Sequence, residues 1–188
     1  MPGCFAVRVG DIWLVRHGET EWSKTFQHTG RTDIPLTAEG EASATALKAR
    51  LDRPWARVLS SPLERARRTA ELAGLHPVLD DDLMEWDYGP AEGRTTAEMS
   101  AERPWRVWDD VPLGETVDQV AERVRRVLAR LPQDGDVCLI AHGHVLRILT
   151  AVYLGLDPRQ GKHFVLRPSG IAVLGHEHDW PAVLEWNT

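Results

Sequence analysis

Short apolar runs alternate with longer amphipathic segments along the chain, and this alternation predicts β-strands separated by α-helices. The clearest helix has Thr116 as its expected N-cap, and its valines and leucines recur at spacings of three and four residues. Predicted strands cover residues 12–17, 56–60, 77–80, 136–141, 163–167, 171–176 and 181–186. Strands that alternate with helices favour an α/β fold, a three-layer sandwich whose mostly parallel central sheet carries helices on both faces.

Polar and turn-forming residues mark where the other helices begin. Thr37 is the expected N-cap of a helix that continues through the alanine-rich run 41–51. Ser61 is the expected cap of the next helix, with Pro62 at its first position. A further helix is predicted over residues 144–154. These start signals support the assignment of one helix after each of several strands.

Two irregular segments interrupt the alternation. Residues 18–36 form a long polar segment directly after the first strand, and long loops in such places often carry function. Residues 94–115 are predicted to hold a short helix and a turn. Trp105 and Trp108 in this segment suit a core anchor, a cover over a site or a contact in a homodimer equally well.

Two predicted strands are followed by a histidine and a glycine. The first strand ends at Arg16 and His17, and a later strand is followed by His142. If both strands belong to one parallel sheet, their carboxyl ends lie at the same edge, where open α/β sheets place their chemistry. Arg65, at the start of the helix after a third strand, extends from that edge too. Two arginines and two imidazoles form a cationic pocket that suits a phosphate group.

The overall charge limits the kinds of partner that the protein binds. The chain has 22 basic and 28 acidic residues and a formal net charge of −6. A negative protein gains nothing electrostatically from nucleic acid or an anionic membrane surface, so neither is expected as a partner. A small anionic substrate fits a locally basic site. A chain of 188 residues suffices for one domain with its own core, and a single domain over residues 1–188 is expected.

The cysteines and the N-terminus predict a cytoplasmic protein. The only cysteines are Cys4 and Cys138, and the apolar neighbours of Cys138 predict a small core side chain. Both thiols are expected to be reduced, as in the cytoplasm. Residues 1–11 lack the apolar region of a signal peptide. No apolar run approaches the ~18 residues that a membrane span needs.

Five spaced motifs resemble, in order, the motif series of the histidine phosphatase superfamily, the family of the cofactor-dependent phosphoglycerate mutases. Together they are far more specific than any one of them alone. Within the family they are most similar to a phosphatase branch that includes sedoheptulose bisphosphatase and bacterial acid phosphatases. The motifs are Leu14-Val15-Arg16-His17-Gly18-Glu19-Thr20, Thr29-Gly30-Arg31-Thr32-Asp33, Ser60-Ser61-Pro62-Leu63-Glu64-Arg65, Leu83-Met84-Glu85-Trp86-Asp87-Tyr88-Gly89 and Ala141-His142-Gly143-His144.

The resemblance implies a phosphomonoester hydrolase that works through a phosphohistidine, without a metal or another cofactor. His17 is the implied nucleophile, and Arg16, Arg65 and His142 would hold the phosphoryl oxygens. Glu85 would protonate the leaving oxygen and then activate the water that hydrolyses the phosphoenzyme. The implied substrate is a small phosphorylated metabolite such as a sugar phosphate.

The loop after the nucleophile supplies further substrate-binding candidates. Ser23, Thr29 and Gly30 lie on this loop, and Gly143 follows the second histidine. The mutases typically have asparagine where Ser23 stands. This departure favours the phosphatase branch.

Two residues near the end of the chain have two interpretations each. Arg147 either reaches a second anionic group of the substrate or is solvated. His178 either faces the pocket, because alternate residues of a strand share one side, or lies on the surface. His28 is interpreted as a solvated polar residue.

Three other functions compete with hydrolysis. A mutase must protect its phosphohistidine from water, and members of that kind have a longer basic insertion, where this chain offers only Arg94, Arg103 and Arg106. A metal hydrolase would use the pairs His142-x-His144 and His176-x-His178, but the chain lacks the clustered partners of such sites. A binding module without catalysis would not need the full set of candidate catalytic residues.

Overall fold

The structure is a computed structural model that describes residues 10–101, 104–109, 111 and 113–188. Cys4 and Arg103 lie outside these residues. No helix in the described ranges is both long and apolar enough to cross a membrane.

Six strands of the described chain form one sheet, which confirms the predicted α/β class. The strands are β1 (Ile12–Arg16), β2 (Arg57–Ser60), β3 (Val78–Leu79), β4 (Val137–Ala141), β5 (Ile171–Glu177) and β6 (Trp180–Trp186). Their order across the sheet is β3-β2-β4-β1-β5-β6. Strands β3, β2, β4 and β1 are parallel to one another. At one side of the sheet β5 pairs antiparallel with β1, and β6 pairs antiparallel with β5. The central sheet is therefore mostly parallel, as the alternation of elements predicted.

Seven α-helices and three 3-10 helices connect the strands in the described chain. The α-helices are α1 (Glu21–Lys24), α2 (Ala38–Ala46), α3 (Lys48–Leu51), α4 (Glu64–Leu72), α5 (Thr96–Met99), α6 (Val117–Arg130) and α7 (Gly143–Tyr153). The 3-10 helices are Asp81–Leu83, Gly89–Ala91 and Pro158–His163. Two predicted caps are confirmed, because the side chain of Thr37 accepts from the Gly40 amide and that of Thr116 accepts from the Gln119 amide.

Two hydrophobic cores lie on opposite faces of the sheet. Successive side chains of β1 point to opposite faces. Ile12 and Leu14 join the core that includes the apolar face of α6 and α7, while Trp13 and Val15 join the core formed with α3 and α4. Cys138 is a free, fully buried thiol in the second core, and burial raises its pKa. The sheet is covered on both faces, as expected.

The start of α4 differs from the prediction. The helix begins at Glu64, and the predicted cap, Ser61, does not cap it. The carboxylate of Asp33 instead accepts from the Glu64 amide at 2.9 and 3.0 Å. The prediction was wrong because the cap comes from a distant loop, which no local pattern shows.

The predicted strand over residues 163–167 is absent. This segment follows a 3-10 helix and forms no ladder with the sheet. Side chains bind its backbone groups instead, since Arg16 donates to the Leu166 carbonyl and Trp186 and Asn187 donate to the Val165 carbonyl. A strand ladder is not needed when side chains satisfy the backbone groups in this way.

We expect Gly40→Ala to lower the free energy of unfolding by about 2 kcal/mol, although alanine is the better helix former by ~1 kcal/mol. A Cβ at this position would collide with the backbone of Glu19, two residues after His17. Chemical denaturation measures the change. The matched control is Ala42→Gly, at an exposed position of the same helix, which should lose only the helix propensity of ~1 kcal/mol. A Gly40→Ala protein that is more stable than the parent would contradict this close packing.

Candidate active site

The pairing of β1 with β4 brings the two histidines together. The strands are parallel, and Arg16 lies opposite Ala141 in the register. The next residues, His17 and His142, therefore leave the sheet side by side, with ring centroids 5.1 Å apart. The carboxyl ends of parallel strands form this edge, where the site was expected.

Among the described residues, His17 has a hydrogen-bond partner for one of its two ring nitrogens. Its side chain is buried, and Nδ1 lies 2.7 Å from the Gly18 carbonyl oxygen. A carbonyl only accepts, so Nδ1 carries the proton and Nε2 has the lone pair. Burial, with the positive charges of Arg65 and Arg16, holds the pKa of His17 well below its ordinary value. The imidazole is therefore neutral and can act as a nucleophile at neutral pH.

Arg65 is fully buried, and its donors are used by neighbouring groups. Its Nη atoms donate to the carbonyls of Thr29, Gly30 and Thr32 at 2.8 to 3.2 Å. Its Nε donates to Nδ1 of His142 at 3.1 Å. Arg65 thereby ties the loop after the nucleophile to the end of β4.

Both ring nitrogens of His142 are engaged by the protein. Nδ1 accepts from Arg65, so the proton lies on Nε2, which is 2.7 Å from the Ser61 hydroxyl oxygen. Burial and the Arg65 charge hold the pKa of His142 well below its ordinary value. In this arrangement His142 positions Arg65. The resemblance assigned it to the phosphoryl oxygens, and its contact with Ser61 was not foreseen.

Arg16 keeps one buried donor unused. Its Nη1 donates to the Leu166 carbonyl at 2.7 Å. Its Nε–H is buried and has no hydrogen-bond partner among the described residues. A Cβ at Gly143 would press on this guanidinium, so glycine lets the start of α7 approach it. An anion bound beside His17 would satisfy the free N–H of Arg16.

Glu85 lies against the N-terminus of α7. Its buried carboxylate accepts from the amides of Trp86 and Val145 at 2.9 Å and from the amide of His144 at 3.0 Å. The helix N-terminus attracts negative charge in the same place. Glu85 is therefore held beside the strand end that carries His142.

A buried ion pair supports the backbone around Glu85. Arg123 donates to the carbonyls of Met84 and Glu85 and to both carboxylate oxygens of Glu115. Glu115 in turn accepts from the Asp87 amide at 3.0 Å. The sequence analysis identified α6 only from its N-cap and the spacing of its apolar residues. A charged residue, Arg123, among the apolar positions of that helix was the available signal for its contacts with the backbone around Glu85.

A cavity of about 460 Å³ opens above these residues. Its volume suits a small metabolite. Four predicted substrate-binding residues line it, namely Ser23, Thr29, Gly143 and Arg147. The other lining residues are Arg16, His17, Phe26, Gln27, His28, Glu85, Tyr88, Thr96, Arg106, Val107, Trp108 and His144.

The loop candidates have structural partners of their own. The Ser23 hydroxyl takes part in the capping box of α1 with Thr20. The Thr29 hydroxyl donates to the Gln27 carbonyl, and the Gly30 amide donates to Glu92. Thr29 and Gly30 also offer their carbonyls to Arg65. In this structure, the loop holds Arg65 through backbone groups.

Arg147 lies at the cavity wall and is not simply solvated. Its Nε donates to the Gly161 carbonyl at 3.0 Å and its Nη2 to the Lys162 carbonyl at 2.8 Å. Its guanidinium carbon lies 5.0 Å from the centre of the Trp108 ring. These contacts fix the planar fork. Nη1 has no hydrogen-bond partner among the described residues and is left for a ligand.

The placement of His178 decides between its two interpretations. It lies at the turn between β5 and β6, with its side chain 87% exposed beside Glu177. Because β5 runs antiparallel to β1, its end lies at the sheet edge opposite His17. His178 therefore does not face the cavity. The histidine pair 176 and 178 is likewise separated from the pair 142 and 144, so the two pairs do not combine into one metal site.

The second irregular segment and His28 shape the cavity. Trp105 is buried as a core anchor, while Trp108 lines the cavity as a cover. The interpretation of His28 as a solvated residue was wrong, because it lines the cavity and packs 5.0 Å from Tyr88 and 5.1 Å from Trp105. Its sequence neighbourhood carries no apolar signal, so these contacts were not predictable.

The comparisons identify the family of this sequence. The family model described as histidine phosphatase superfamily (branch 1) matches residues 12–188. Sedoheptulose 1,7-bisphosphatase of Saccharomyces cerevisiae is 36% identical over 76% of this chain and 67% of the relative. An acid phosphatase of Mycobacterium tuberculosis is 36% identical over 92% of this chain and 89% of the relative.

The chain is also similar to a solved structure and to a relative that is named as a mutase. The solved structure of an open reading frame product of Mycobacterium tuberculosis has a TM-score of 0.88 at 33% identity and covers 96% of this chain and 98% of that chain. A protein of Erwinia tasmaniensis named probable phosphoglycerate mutase is 34% identical over 88% of this chain and 85% of the relative. The expected family and fold are confirmed.

The free energy of unfolding should fall as the pH decreases below about 6.5, the ordinary pKa of histidine. His17, His142 and His144 have lowered pKa values in the folded protein, so the unfolded state binds more protons below that pH. Each histidine contributes a slope of about 1.4 kcal/mol per pH unit until it is protonated in the folded protein as well. Urea unfolding across this pH range measures the slope.

In His17→Gln, the slope of the free energy of unfolding against pH should be smaller by the contribution of one histidine. The control is His76→Gln, at an exposed histidine. Equal slopes in the parent and His17→Gln would contradict the prediction, because they would mean that His17 has the same pKa in the folded and the unfolded protein.

Proposed function

This chain belongs to the histidine phosphatase superfamily, and on that premise we propose that it hydrolyses phosphate monoesters of small polyols with His17 as the nucleophile. The observation that carries this proposal is the His17 ring, whose Nδ1 is bound to a carbonyl and whose Nε2 has no partner among the described residues, in a cavity that Arg16 also lines. That arrangement combines an oriented neutral nucleophile with an unused donor for a phosphoryl oxygen.

In the first step, Nε2 of His17 attacks phosphorus and the bond from phosphorus to the ester oxygen breaks. Glu85 is the proposed acid, which gives a proton to the leaving oxygen so that a neutral alcohol departs. Arg16 and Arg65 stabilise the charge on the phosphoryl oxygens. His142 supports this step by orienting Arg65.

In the second step, water attacks the phosphohistidine. The Glu85 carboxylate takes a proton from the water as the new bond to phosphorus forms. The bond from phosphorus to Nε2 breaks, inorganic phosphate leaves, and His17 returns to its neutral form. The protein's own residues supply every proton transfer that this cycle needs.

The cavity wall supports a substrate with a second anionic group. Two backbone carbonyls hold the guanidinium of Arg147 in place, and Arg106 lines the same cavity. A sugar bisphosphate fits this distribution of charge, and the similar yeast protein is named for such a substrate. We therefore include sugar phosphates in the proposed substrate class, with Arg147 as the contact for the distal group.

A phosphoglycerate mutase is the second candidate function, because a relative of that name is 34% identical. A mutase transfers the phosphoryl group back to substrate, whereas a phosphatase transfers it to water. The segment 94–115 offers few cations for protecting a phosphohistidine from water. This feature favours hydrolysis.

Other expectations stay predictions. We propose that the protein acts in the cytoplasm, where its small phosphorylated substrate would be found, and that it does not need nucleic acid as a partner. A homodimer through the tryptophan-rich segment is a further expectation. Size-exclusion chromatography with light scattering would measure the oligomeric state.

Phosphate release in the presence of EDTA tests the proposed function. Sugar phosphates, phosphoglycerates and an aryl phosphate serve as substrates. We expect release by the parent protein and a loss of about a thousandfold or more in His17→Ala, because the nucleophile is gone. His76→Ala is the control. Release that survives His17→Ala would overturn the mechanism, and interconversion of phosphoglycerates without release would favour the mutase.

Arg147→Ala tests the distal contact. We expect the ratio of kcat/KM for a sugar bisphosphate to kcat/KM for an aryl phosphate to fall by about tenfold, since only the first substrate has a distal anion. Arg159→Ala is the control, because Arg159 belongs to the adjacent 3-10 helix and contacts Asp118 on the surface. An unchanged ratio in Arg147→Ala would remove Arg147 from the substrate contacts.

A further inference from the structure

We propose that His144 determines substrate specificity by donating a hydrogen bond from Nε2 to a hydroxyl or carbonyl oxygen of a sugar phosphate, in a tautomer that Tyr88 fixes. This inference rests on the proposed phosphatase function. It adds a donor outside the set of His17, Arg16, Arg65, His142 and Glu85. The sequence analysis considered His144 only as a candidate metal ligand in the metal-hydrolase alternative.

Tyr88 is a buried donor with one partner. Its side chain is 2% exposed, and its hydroxyl lies 2.5 Å from Nδ1 of His144. Burial, with the negative charge of Glu85, raises the pKa of Tyr88 well above its ordinary value. The hydroxyl therefore keeps its proton, and His144 is the acceptor that it has among the described residues.

The contact with Tyr88 sets the tautomer of His144. Burial and the charge of Arg147 hold the pKa of His144 well below its ordinary value, so the ring is neutral. A neutral imidazole has one accepting and one donating nitrogen. A phenol is the better donor of the pair and an imidazole nitrogen the better acceptor. Nδ1 therefore accepts from Tyr88, and Nε2 carries the ring proton.

The Nε2–H of His144 is the part of this pair that is left for a ligand. It has no hydrogen-bond partner among the described residues, and His144 lines the cavity. The ring cannot turn freely, because Trp108, Tyr88 and Trp86 pack around it with centroid distances of 5.1, 5.7 and 6.0 Å. His144 is also placed beside the reaction, since its backbone amide donates to Glu85 at 3.0 Å.

The aromatic rings around His144 and its Nε2–H group suit a sugar. Aromatic rings offer faces to the carbon-bound hydrogens of a polyol, and one fixed N–H offers a donor to one of its oxygens. A site built to hydrogen-bond a substrate oxygen discriminates strongly against a substrate that lacks it. An aryl phosphate such as p-nitrophenyl phosphate has no hydroxyl or carbonyl group beyond the scissile phosphate. The ratio of kcat/KM for the two substrates therefore reports on this donor.

The experiment compares a hexose phosphate with p-nitrophenyl phosphate in the parent, His144→Phe, Tyr88→Phe and Tyr153→Phe proteins. In His144→Phe the ratio of kcat/KM for hexose phosphate to that for p-nitrophenyl phosphate should fall by about tenfold or more, because the donor is removed. Tyr88→Phe should lower the ratio by about threefold, because the tautomer is no longer fixed. Tyr153 is the other tyrosine of the chain, and its hydroxyl donates to the Gly175 carbonyl. Tyr153→Phe, the matched control, should keep the parent ratio.

A spectroscopic readout separates this role from a loss of folding. In ¹⁵N-histidine NMR spectra of the parent, His144 should show an unprotonated Nδ1 and a protonated Nε2. Tyr88→Phe should shift both signals towards a mixture of tautomers. Thermal unfolding of each variant shows whether it is folded.

The outcomes separate this inference from the proposed function. A parent protein without phosphate release would overturn the proposed function. An active parent whose substrate ratio is the same in His144→Phe would overturn the role of His144 alone. A His144 ring that carries its proton on Nδ1 would overturn both the role of Tyr88 and the donation from Nε2, because Nε2 could then only accept.

Discussion

The burial of one guanidinium, Arg65, is the constraint on which the rest of the site depends. A charge in the protein interior is tolerated only when its hydrogen-bonding groups are satisfied. Three carbonyls of residues 29–32 and one ring nitrogen of His142 meet that requirement. Burial and the same charge together keep both histidines neutral by lowering their pKa values. One buried cation thus orders a loop, orients an imidazole and prepares the nucleophile.

The N-terminus of α7 provides the complementary half of the site. Its first amides bind the carboxylate of Glu85, and its first residue, Gly143, allows close approach to Arg16. The opposite side of the Glu85 segment is held by Arg123, whose donors reach backbone carbonyls and Glu115. The carboxyl group of Glu85 is therefore held from two sides. Because these two sets of contacts hold Glu85 in place, the acid and the nucleophile can face one phosphate.

Local sequence patterns were sufficient for the framework. The 3.6-residue spacing of α6, the caps at Thr37 and Thr116 and the apolar runs of β1 and β4 are set by burial and backbone hydrogen bonding within short segments. The convergence of His17 and His142 was also predictable, because parallel strands end at a common edge. The cap of α4 and the absent strand over 163–167 were not, since Asp33, Trp186 and Asn187 come from distant parts of the chain.

By itself, the sequence determined the α/β class, the motif residues and their order along the chain. Apart from the convergence of His17 and His142, only the tertiary structure decided which side chains meet. The antiparallel direction of β5 placed His178 at the far edge of the sheet, and the packing of the loops brought His28 to the cavity. The contact between Tyr88 and His144 joins residues 56 positions apart. The physical reason is that periodicity and capping act over a few residues, whereas a tautomer or a buried charge is set by groups that folding brings together.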